Sequence, residues 1–228
     1  MRLCMFHPLD HPLERGWAGR IDGDRVVQLA AQTLQSFFTG GGGAREHAVY
    51  ALDDVCLLAP VLHPPAVRIF ESQGSFAFAN PAAILGPRGE VSNGSAALTV
   101  LPRLAGVVGA DGALGGLTIL AEWRDRGRPP PKDRDFALGL GPLLVTPDAL
   151  KANGVEGVVR VDGAVRLRAR FGGFDWDSAR ELAAAGTLLR PGDLLAGPAL
   201  GIVEGVAAGS SVEVDVDGIG ALAQSVSA

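Results

Sequence analysis

Histidine, cysteine and long apolar runs are scarce in this 228-residue sequence. Its four histidines all precede residue 64, and its two cysteines, Cys4 and Cys56, lack the C-x-x-C spacing of zinc or redox sites. No run approaches the roughly 20 apolar residues that span a bilayer. The N-terminal stretch MRLCMFHPLDHPLERG lacks the apolar core of a signal peptide. We therefore expect free thiols. We also expect a cytoplasmic protein that does not bind a membrane.

Charge is also scarce, whereas glycine and proline are plentiful. Charged residues make up 20% of the chain and the net charge is −5, which argues against a nucleic-acid partner. The densest basic stretch, Arg124 to Arg134, is interrupted by aspartates, so it predicts a solvated loop or, alternatively, the rim of an anion pocket. Hydrophobic residues make up 47%, which excludes a disordered chain. The 32 glycines and 15 prolines favour many turns between short strands.

Residues 1–62 read as a small β-rich unit. The segment RLCMF predicts a strand, and GWAGRIDGDRVVQLA predicts a hairpin that turns at Asp22-Gly23. AAQTLQSFF predicts one short helix, which ends at the glycines from Gly40 to Gly43 because consecutive glycines disfavour a helix. The proline-rich segment LLAPVLHPPAV predicts a linker, with a domain boundary near residue 62.

Residues 63–228 predict a second, larger unit that is mainly β. A hairpin is expected over Val158 to Arg170, and the alternating valines of SVEVDVDG predict a strand with one buried face. Only DWDSARELAAAG predicts a clear helix, capped by Asp177 or Ser178 and ended by Gly186. We therefore expect about ten strands and one or two short helices, in a roll or sandwich.

Two segments carry a family resemblance. They are KDRDFALGLGPLLVTPDAL and the C-terminal stretch LLRPGDLLAGPALG…VDVDGIG. Both resemble the fumarylacetoacetate hydrolase family. The resemblance implies a mixed β-sandwich roll with a small N-terminal β-rich domain, usually in a homodimer. It also implies hydrolysis of a carbon–carbon bond in a 1,3-dicarbonyl acid, or a related decarboxylation or tautomerisation. In the family a Mg²⁺- or Mn²⁺-type ion grips the oxo-acid, and a His–Glu pair activates water.

The residues expected to hold that ion are missing. The family's Glu-x-Glu pair precedes a valine-rich run, and the corresponding positions here are Leu101 and Arg103. A leucine has no donor atom, and a guanidinium repels a divalent cation. The third ligand position corresponds to Glu122, for which an ion pair with Arg103 or Lys132 is the alternative. We therefore expect no metal cofactor.

The catalytic histidine is missing as well. The stretch VRIFESQGSFAFANP contains no histidine and one acid, Glu71, and the chain is shortened here relative to the family. His7 and His11 could belong to a metal-binding cluster, or they could lie in an exposed loop. The loop is the favoured interpretation, because Pro8 and Pro12 argue against a helix there. Lys132 corresponds to a family lysine that would contact the substrate carboxylate or enolate, or it is an ordinary surface lysine. Gly197 keeps the backbone freedom of a turn at the substrate site.

Two hypotheses follow for function. In the first, the protein acts on a small oxo-acid without metal, with Arg103 supplying the positive charge, Lys132 beside it, and Glu122 in the same site. In the alternative, it is a catalytically inactive relative that serves as a binding or partner subunit. A third hypothesis makes it active only in a heteromer with an intact family member.

Overall fold

The structure is a computed structural model that describes residues 1–92, 94, 97–150 and 154–227. Strands dominate the described chain, which confirms the mainly β fold class. In chain order the strands are β1 (Arg2–Pro8), β2 (Trp17–Asp22), β3 (Arg25–Leu29), β4 (Glu46–Ala51), β5 (Val55–Leu58), β6 (Val67–Ser72), β7 (Ser75–Ala79), β8 (Ile84–Leu85), β9 (Glu90–Val91), β10 (Leu98–Val108), β11 (Leu114–Arg124), β12 (Leu138–Val145), β13 (Glu156–Val161), β14 (Ala164–Arg170), β15 (Leu194–Ala196), β16 (Val203–Val206), β17 (Ser211–Val216) and β18 (Gly220–Val226). The two α-helices are α1 (Leu34–Thr39) and α2 (Trp176–Ala184).

The expectation of about ten strands was too low. The strands that the sequence did not predict include the short β9 and β16, of two and four residues. Segments this short have no readable alternation of apolar and polar residues, because a period of two needs more positions to show itself.

A large sheet contains thirteen of the strands. Its main path runs β4-β3-β2-β1-β12-β11-β10-β15-β6-β7, and β5, β8 and β16 pair with β1, β12 and β10 respectively. The N-terminal strands join the sheet directly, because β1 pairs with β12 and places Leu3 opposite Leu144. The domain boundary near residue 62 stays a prediction.

A smaller sheet has the order β14-β13-β17-β18-β9. In β17 the side chains of Val212, Val214 and Val216 are buried, and they alternate with more exposed residues as the sequence predicted. The indole of Trp123 in the large sheet donates a hydrogen bond of 2.8 Å to Gln224 of β18. Both side chains are buried, so this bond joins the two sheets inside the core.

Both predicted hairpins form. Gly23 has φ +60° between β2 and β3, and Gly163 has φ +80° between β13 and β14. Asp162 also has a positive φ, of 50°. This conformation strains most residues but suits Asp and Gly. Asp162-Gly163 forms the tip of the second hairpin as predicted. In the first hairpin Asp22 pairs with Arg25, so the tip is Gly23-Asp24, one residue later than predicted.

Helix α1 is shorter than predicted, and the cap of α2 differs. Helix α1 begins after Thr33, whose side chain accepts from the backbone N–H of Ser36, and ends at Gly40. Helix α2 is capped by Asp175, which accepts from the backbone N–H groups of Asp177 and Ser178. The prediction of Asp177 or Ser178 as the cap was wrong, because the helix begins at Trp176 and both residues lie in its first turn.

The two cysteines are free thiols. Cys4 is fully buried in β1, and burial raises the pKa of its thiol to about 12. No helix in the described residues combines the length and apolarity that crossing a membrane requires.

Candidate functional site

The candidate site lies on neighbouring strands β10 and β11. Leu101 of β10 lies directly opposite Glu122 of β11, and Arg103 lies opposite Leu120. Directly opposed residues share a face of the sheet, as do residues two apart along a strand. The positions at which the resemblance predicts metal ligands, 101, 103 and 122, therefore share one face.

Arg103 is completely buried and bonded to protein on every side. Its Nε donates to Oε2 of Glu122 at 2.8 Å, and its Nη2 donates to Oε1 of Glu71 at 3.0 Å. Its Nη1 donates to the backbone carbonyls of Phe70, at 3.2 Å, and Gly197, at 3.0 Å. Since the side chain is 0% exposed, all three guanidinium nitrogens are used inside the protein.

Arg124 is a second arginine that binds both Glu122 and Glu71. Its Nε donates to Oε1 of Glu122 at 2.7 Å, and its Nη2 donates to Oε1 of Glu71 at 2.8 Å. Both carboxylate oxygens of Glu122 are thus occupied by guanidinium groups. Glu71, Arg103, Glu122 and Arg124, which we call the Arg–Glu network, carry two positive and two negative charges.

The Arg–Glu network runs from the core to the surface. The side chains of Arg103 and Glu122 are 0% and 2% exposed, whereas those of Arg124 and Glu71 are 26% and 58% exposed. Burial alone would raise the pKa of Glu71, but Arg103 and Arg124 together outweigh it, and the pKa lies below its ordinary value. Burial likewise opposes the charge of Arg124, but Glu122 and Glu71 raise its pKa overall.

Distant strands bring the members of the site together. β15 pairs with β10 on one side and with β6 on the other, so β6 lies close to Arg103. β6 supplies Glu71 and the carbonyl of Phe70, and the turn after β15 supplies the carbonyl of Gly197. A Cβ on Gly197 would lie 3.2 Å from the ring of Phe174, so a side chain there would crowd this ring.

The predicted site residues are brought together only in part. Arg103, Glu122 and Gly197 meet, and the predicted ion pair between Glu122 and Arg103 is present. Lys132 lies in the loop between β11 and β12, is 67% exposed, and pairs with Asp135 at 2.9 Å. None of the described hydrogen bonds or ion pairs of Lys132 reaches the Arg–Glu network. The catalytic and substrate-binding roles of these residues stay predictions.

Sequence reasoning missed two members of the Arg–Glu network. Arg124 was expected in a solvated loop, but it is the last residue of β11 and binds Glu122. The spacing of Glu122 and Arg124 could have indicated this, because residues two apart on a strand share a face. Glu71 was noticed only as an isolated acid, and no local pattern indicates its contact with Arg103.

The residues present do not fit the divalent ion that the family implies. Leu101 offers no donor atom, the guanidinium of Arg103 occupies the space beside Glu122, and both oxygens of Glu122 are engaged. Mg²⁺ and Mn²⁺ need several oxygen ligands around one point. Among the described residues, no group of three or more His, Cys, Asp or Glu side chains could hold a metal ion, and this includes His7 and His11.

A small cavity lies beside the Gly197 turn. Its volume is about 100 Å³, and its walls include Leu104, Phe171, Phe174 and Trp176. This volume is well below the roughly 300–1,000 Å³ of most ligand pockets.

Comparison with known protein families identifies the family to which the chain belongs. The family "Fumarylacetoacetate (FAA) hydrolase C-terminal" matches residues 106–227, which is more than half of the sequence. The chain belongs to the fumarylacetoacetate hydrolase family. No curated protein matches the chain in sequence.

Solved structures share the fold over the whole chain. Maleylpyruvate hydrolase from Sphingobium sp. SYK-6, in complex with manganese(II) and pyruvate, is 22% identical with a TM-score of 0.81, covering 100% of this chain and 99% of that one. The 5-carboxymethyl-2-hydroxymuconate delta-isomerase of Mycobacterium smegmatis is 23% identical with a TM-score of 0.79, at 100% and 99% coverage. Fumarylacetoacetate hydrolase from Exiguobacterium antarcticum is 20% identical with a TM-score of 0.81, at 100% coverage of both chains. At these identities the likeness shows the fold.

Proposed function

We propose that this chain is a non-catalytic member of the fumarylacetoacetate hydrolase family that works as a binding or partner subunit. The observation that carries the proposal is the buried guanidinium of Arg103, which is bonded to two glutamates and two backbone carbonyls. In this arrangement an internal cation neutralises Glu122 at the position aligned with the family's metal ligands.

A guanidinium can replace the charge of a metal ion but not its chemistry. A catalytic ion keeps an open coordination position, polarises a bound oxygen and lowers the pKa of bound water. Arg103 has no open position, since every guanidinium nitrogen already donates to protein, and a planar guanidinium cannot act as a Lewis acid. The arrangement therefore favours a structural role for Arg103.

The competing function is metal-free conversion of a small oxo-acid. One relative with this fold is described as a complex with manganese and pyruvate, so a small acid is the natural substrate class to test. Decarboxylation or tautomerisation would require Arg103 and Lys132 to face the same acid. The burial of Arg103 and the pairing of Lys132 with Asp135 argue against that arrangement. The partly exposed Arg124 is the network cation best placed to meet an anion.

Calorimetric titration with Mg²⁺ and Mn²⁺, combined with an activity assay, tests the proposal. We expect no stoichiometric metal binding, and no loss of enol absorbance when the protein is incubated with oxaloacetate or acylpyruvates, with or without metal. Stoichiometric micromolar metal binding would contradict the metal-site assignment. Turnover that Arg124→Ala or Lys132→Ala abolishes would establish the competing enzymatic function.

A gain-of-binding variant provides the matched test. The double variant Leu101→Glu with Arg103→Glu restores a Glu-x-Glu pair on the face that carries Glu122. We expect Mn²⁺ to raise the melting temperature of the double variant and to leave that of the natural sequence unchanged. Stabilisation follows from linkage, since an ion that binds only the folded state raises its stability. Equal responses of the two proteins would contradict the assignment of positions 101, 103 and 122.

A further inference from the structure

We propose that a cavity between the two sheets binds a small carboxylic acid with an apolar body, of the kind that a medium-chain fatty acid represents. Its walls come from β1, β2, β5 and β12 of the large sheet, and from β18 and the turn before it in the small sheet. None of the described residues that line it belongs to the Arg–Glu network or to the small cavity beside Gly197. The inference therefore does not depend on the proposed function.

The cavity has the size of a ligand pocket and an apolar floor. Its volume is about 520 Å³, within the roughly 300–1,000 Å³ of most ligand pockets. Ile21, Val55, Leu143 and Ile219 line it, and all four are buried members of one core cluster that includes residues of both sheets. A hydrocarbon group on this floor would extend the core and leave water, which favours binding.

Small residues of β18 keep the cavity open. Gly220, Ala221 and Ala223 line it, and Gly220 has φ +108°, a conformation that favours glycine. The backbone N–H of Ala223 donates to the carbonyl of Pro87 at 2.8 Å, so β18 also holds the loop before β9 that forms another part of the wall. Because paired strands form most of the wall, the cavity exists before any ligand arrives, and little order is lost on binding.

Two arginines give the cavity a net positive charge. Arg2, the first residue of β1, and Arg88, in the loop between β8 and β9, are exposed and belong to the lining. Within the described part of the chain, neither guanidinium has an ion-pair or hydrogen-bond partner. Asp53, in the turn before β5, is the one acidic residue described in the lining, so two positive charges face one negative charge.

This combination of groups selects the ligand class. An unpaired guanidinium can bind a carboxylate through two parallel hydrogen bonds, which are stronger than bonds between neutral groups. The apolar floor matches a hydrocarbon body, and the arginines match one carboxylate. A neutral apolar molecule would leave the arginines without a partner, and a short acid would leave the floor uncovered.

Calorimetric titration of the full chain with octanoate tests the proposal. We expect saturable one-to-one binding, and much weaker binding of octanol, which lacks the charge, and of acetate, which lacks the apolar body. Arg2→Gln and Arg88→Gln should each weaken octanoate binding about tenfold, because each removes a charge-assisted hydrogen bond. Arg45→Gln is the matched control, since it removes an exposed arginine that does not line the cavity.

A change at Asp53 should act in the opposite direction. Asp53→Asn removes the negative charge from the lining, so we expect it to strengthen octanoate binding about two- to fivefold. Asp54→Asn is its control, because Asp54 is the exposed neighbour in the same turn and does not line the cavity. A stronger effect of Asp54→Asn than of Asp53→Asn would contradict the assignment of the site.

A blocking variant tests the location of the ligand. Ala221→Trp should abolish octanoate binding by filling the cavity, whereas Ala164→Trp, at an exposed position of the same sheet, should not. Circular dichroism checks folding, and Ala223→Trp replaces a blocking variant that does not fold. The absence of saturable binding, equal binding of octanol and octanoate, or binding unchanged in both Arg88→Gln and Ala221→Trp would overturn the proposal. Binding that Arg124→Ala abolishes and Arg88→Gln leaves intact would overturn it as well, and would instead favour an acid at the Arg–Glu network.

Discussion

Glu122 is a buried carboxylate that depends on two arginines. Its side chain is 2% exposed, and each of its oxygens accepts from a different guanidinium, one of Arg103 and one of Arg124. Removing a charge from water costs several kcal/mol, and only close pairing with good hydrogen bonds offsets that cost. Loss of one partner should therefore be far more harmful than loss of a surface ion pair.

We expect Arg103→Met to lower the free energy of unfolding by about 3–5 kcal/mol, because it leaves Glu122 partly uncompensated in the core. Urea denaturation measures the change. The control is Lys132→Met, which removes an exposed ion pair with Asp135 and should cost less than about 1 kcal/mol. Similar losses in the two variants would show that the Arg–Glu network does not stabilise the fold.

Glu71 makes the free energy of unfolding fall at acid pH. Because Arg103 and Arg124 outweigh burial and lower its folded pKa, its contribution is fully present above the ordinary value of 4.5. That contribution is lost as the pH falls from 4.5 through the lower folded pKa. We expect Glu71→Gln to flatten the fall in melting temperature within this window. Glu181→Gln, at an exposed position of α2, should leave the profile unchanged.

The two sheets are joined by an internal hydrogen bond between elements far apart in sequence. Trp123 of β11 donates to Gln224 of β18, and Gly139 of β12 makes room for the amide. A Cβ at Gly139 would lie 2.3 Å from Oε1 of Gln224. Close approach of β12 and β18 therefore requires glycine at this position.

We expect Gln224→Leu to lower the free energy of unfolding by about 1–3 kcal/mol, because the buried indole N–H of Trp123 loses its acceptor. Chemical denaturation measures this cost, and Gln32→Leu at an exposed position is the control. Trp123→Phe costs stability of its own because it leaves a cavity in the core. The double variant should nevertheless lose less than the sum of the two single losses, since the unpaired donor is then absent. Strictly additive losses would argue against this bond as a link between the sheets.

Local sequence signals predicted the elements whose structure is decided locally. The turns at Gly23-Asp24 and Asp162-Gly163 follow from the backbone preference of Gly and Asp, and the valines of β17 follow from alternation. β10 does not alternate because all of its residues are buried, and its signal in the sequence is a continuous apolar run instead. The cap of α2 was misplaced because Asp175 and Asp177 are equally suitable residue types two positions apart.

At the scale of the whole molecule, β1 ties the N-terminal strands to the rest of the chain. It pairs with β2, with β5 and with β12, so residues 1–62 share the large sheet with later strands. A sheet that crosses a proposed boundary couples the two sides mechanically. The sequence could not reveal this pairing, because nothing local in β1 or β12 indicates which strand is its neighbour.

We expect a single cooperative unfolding transition, in which residues 1–62 and 63–228 melt together. Scanning calorimetry tests this, because the calorimetric and van't Hoff enthalpies agree when a protein unfolds in one step. Two resolved transitions, or a folded fragment 1–62, would instead establish the boundary near residue 62 as a true domain division.

In the candidate site, too, some residues could be identified from the sequence, whereas contacts between distant strands could not. Arg103 and Glu122 were identified from the sequence because they occupy the positions of expected ligands on neighbouring strands. The contact with Glu71 depends on β6 reaching β10 through β15, which no spacing in the sequence reports.

The pairing of β1 with β12 also bears on how the chain is made. β2 and β5 become available soon after β1 leaves the ribosome, but Leu3 meets Leu144 only after most of the chain has been synthesised. Until then one stretch of β1 stays an open edge, and pairings between distant strands form slowly. A nascent chain that stalls before β12 would therefore leave the edge at Arg2 and Leu3 unpaired, and we expect such chains to aggregate or to need a chaperone.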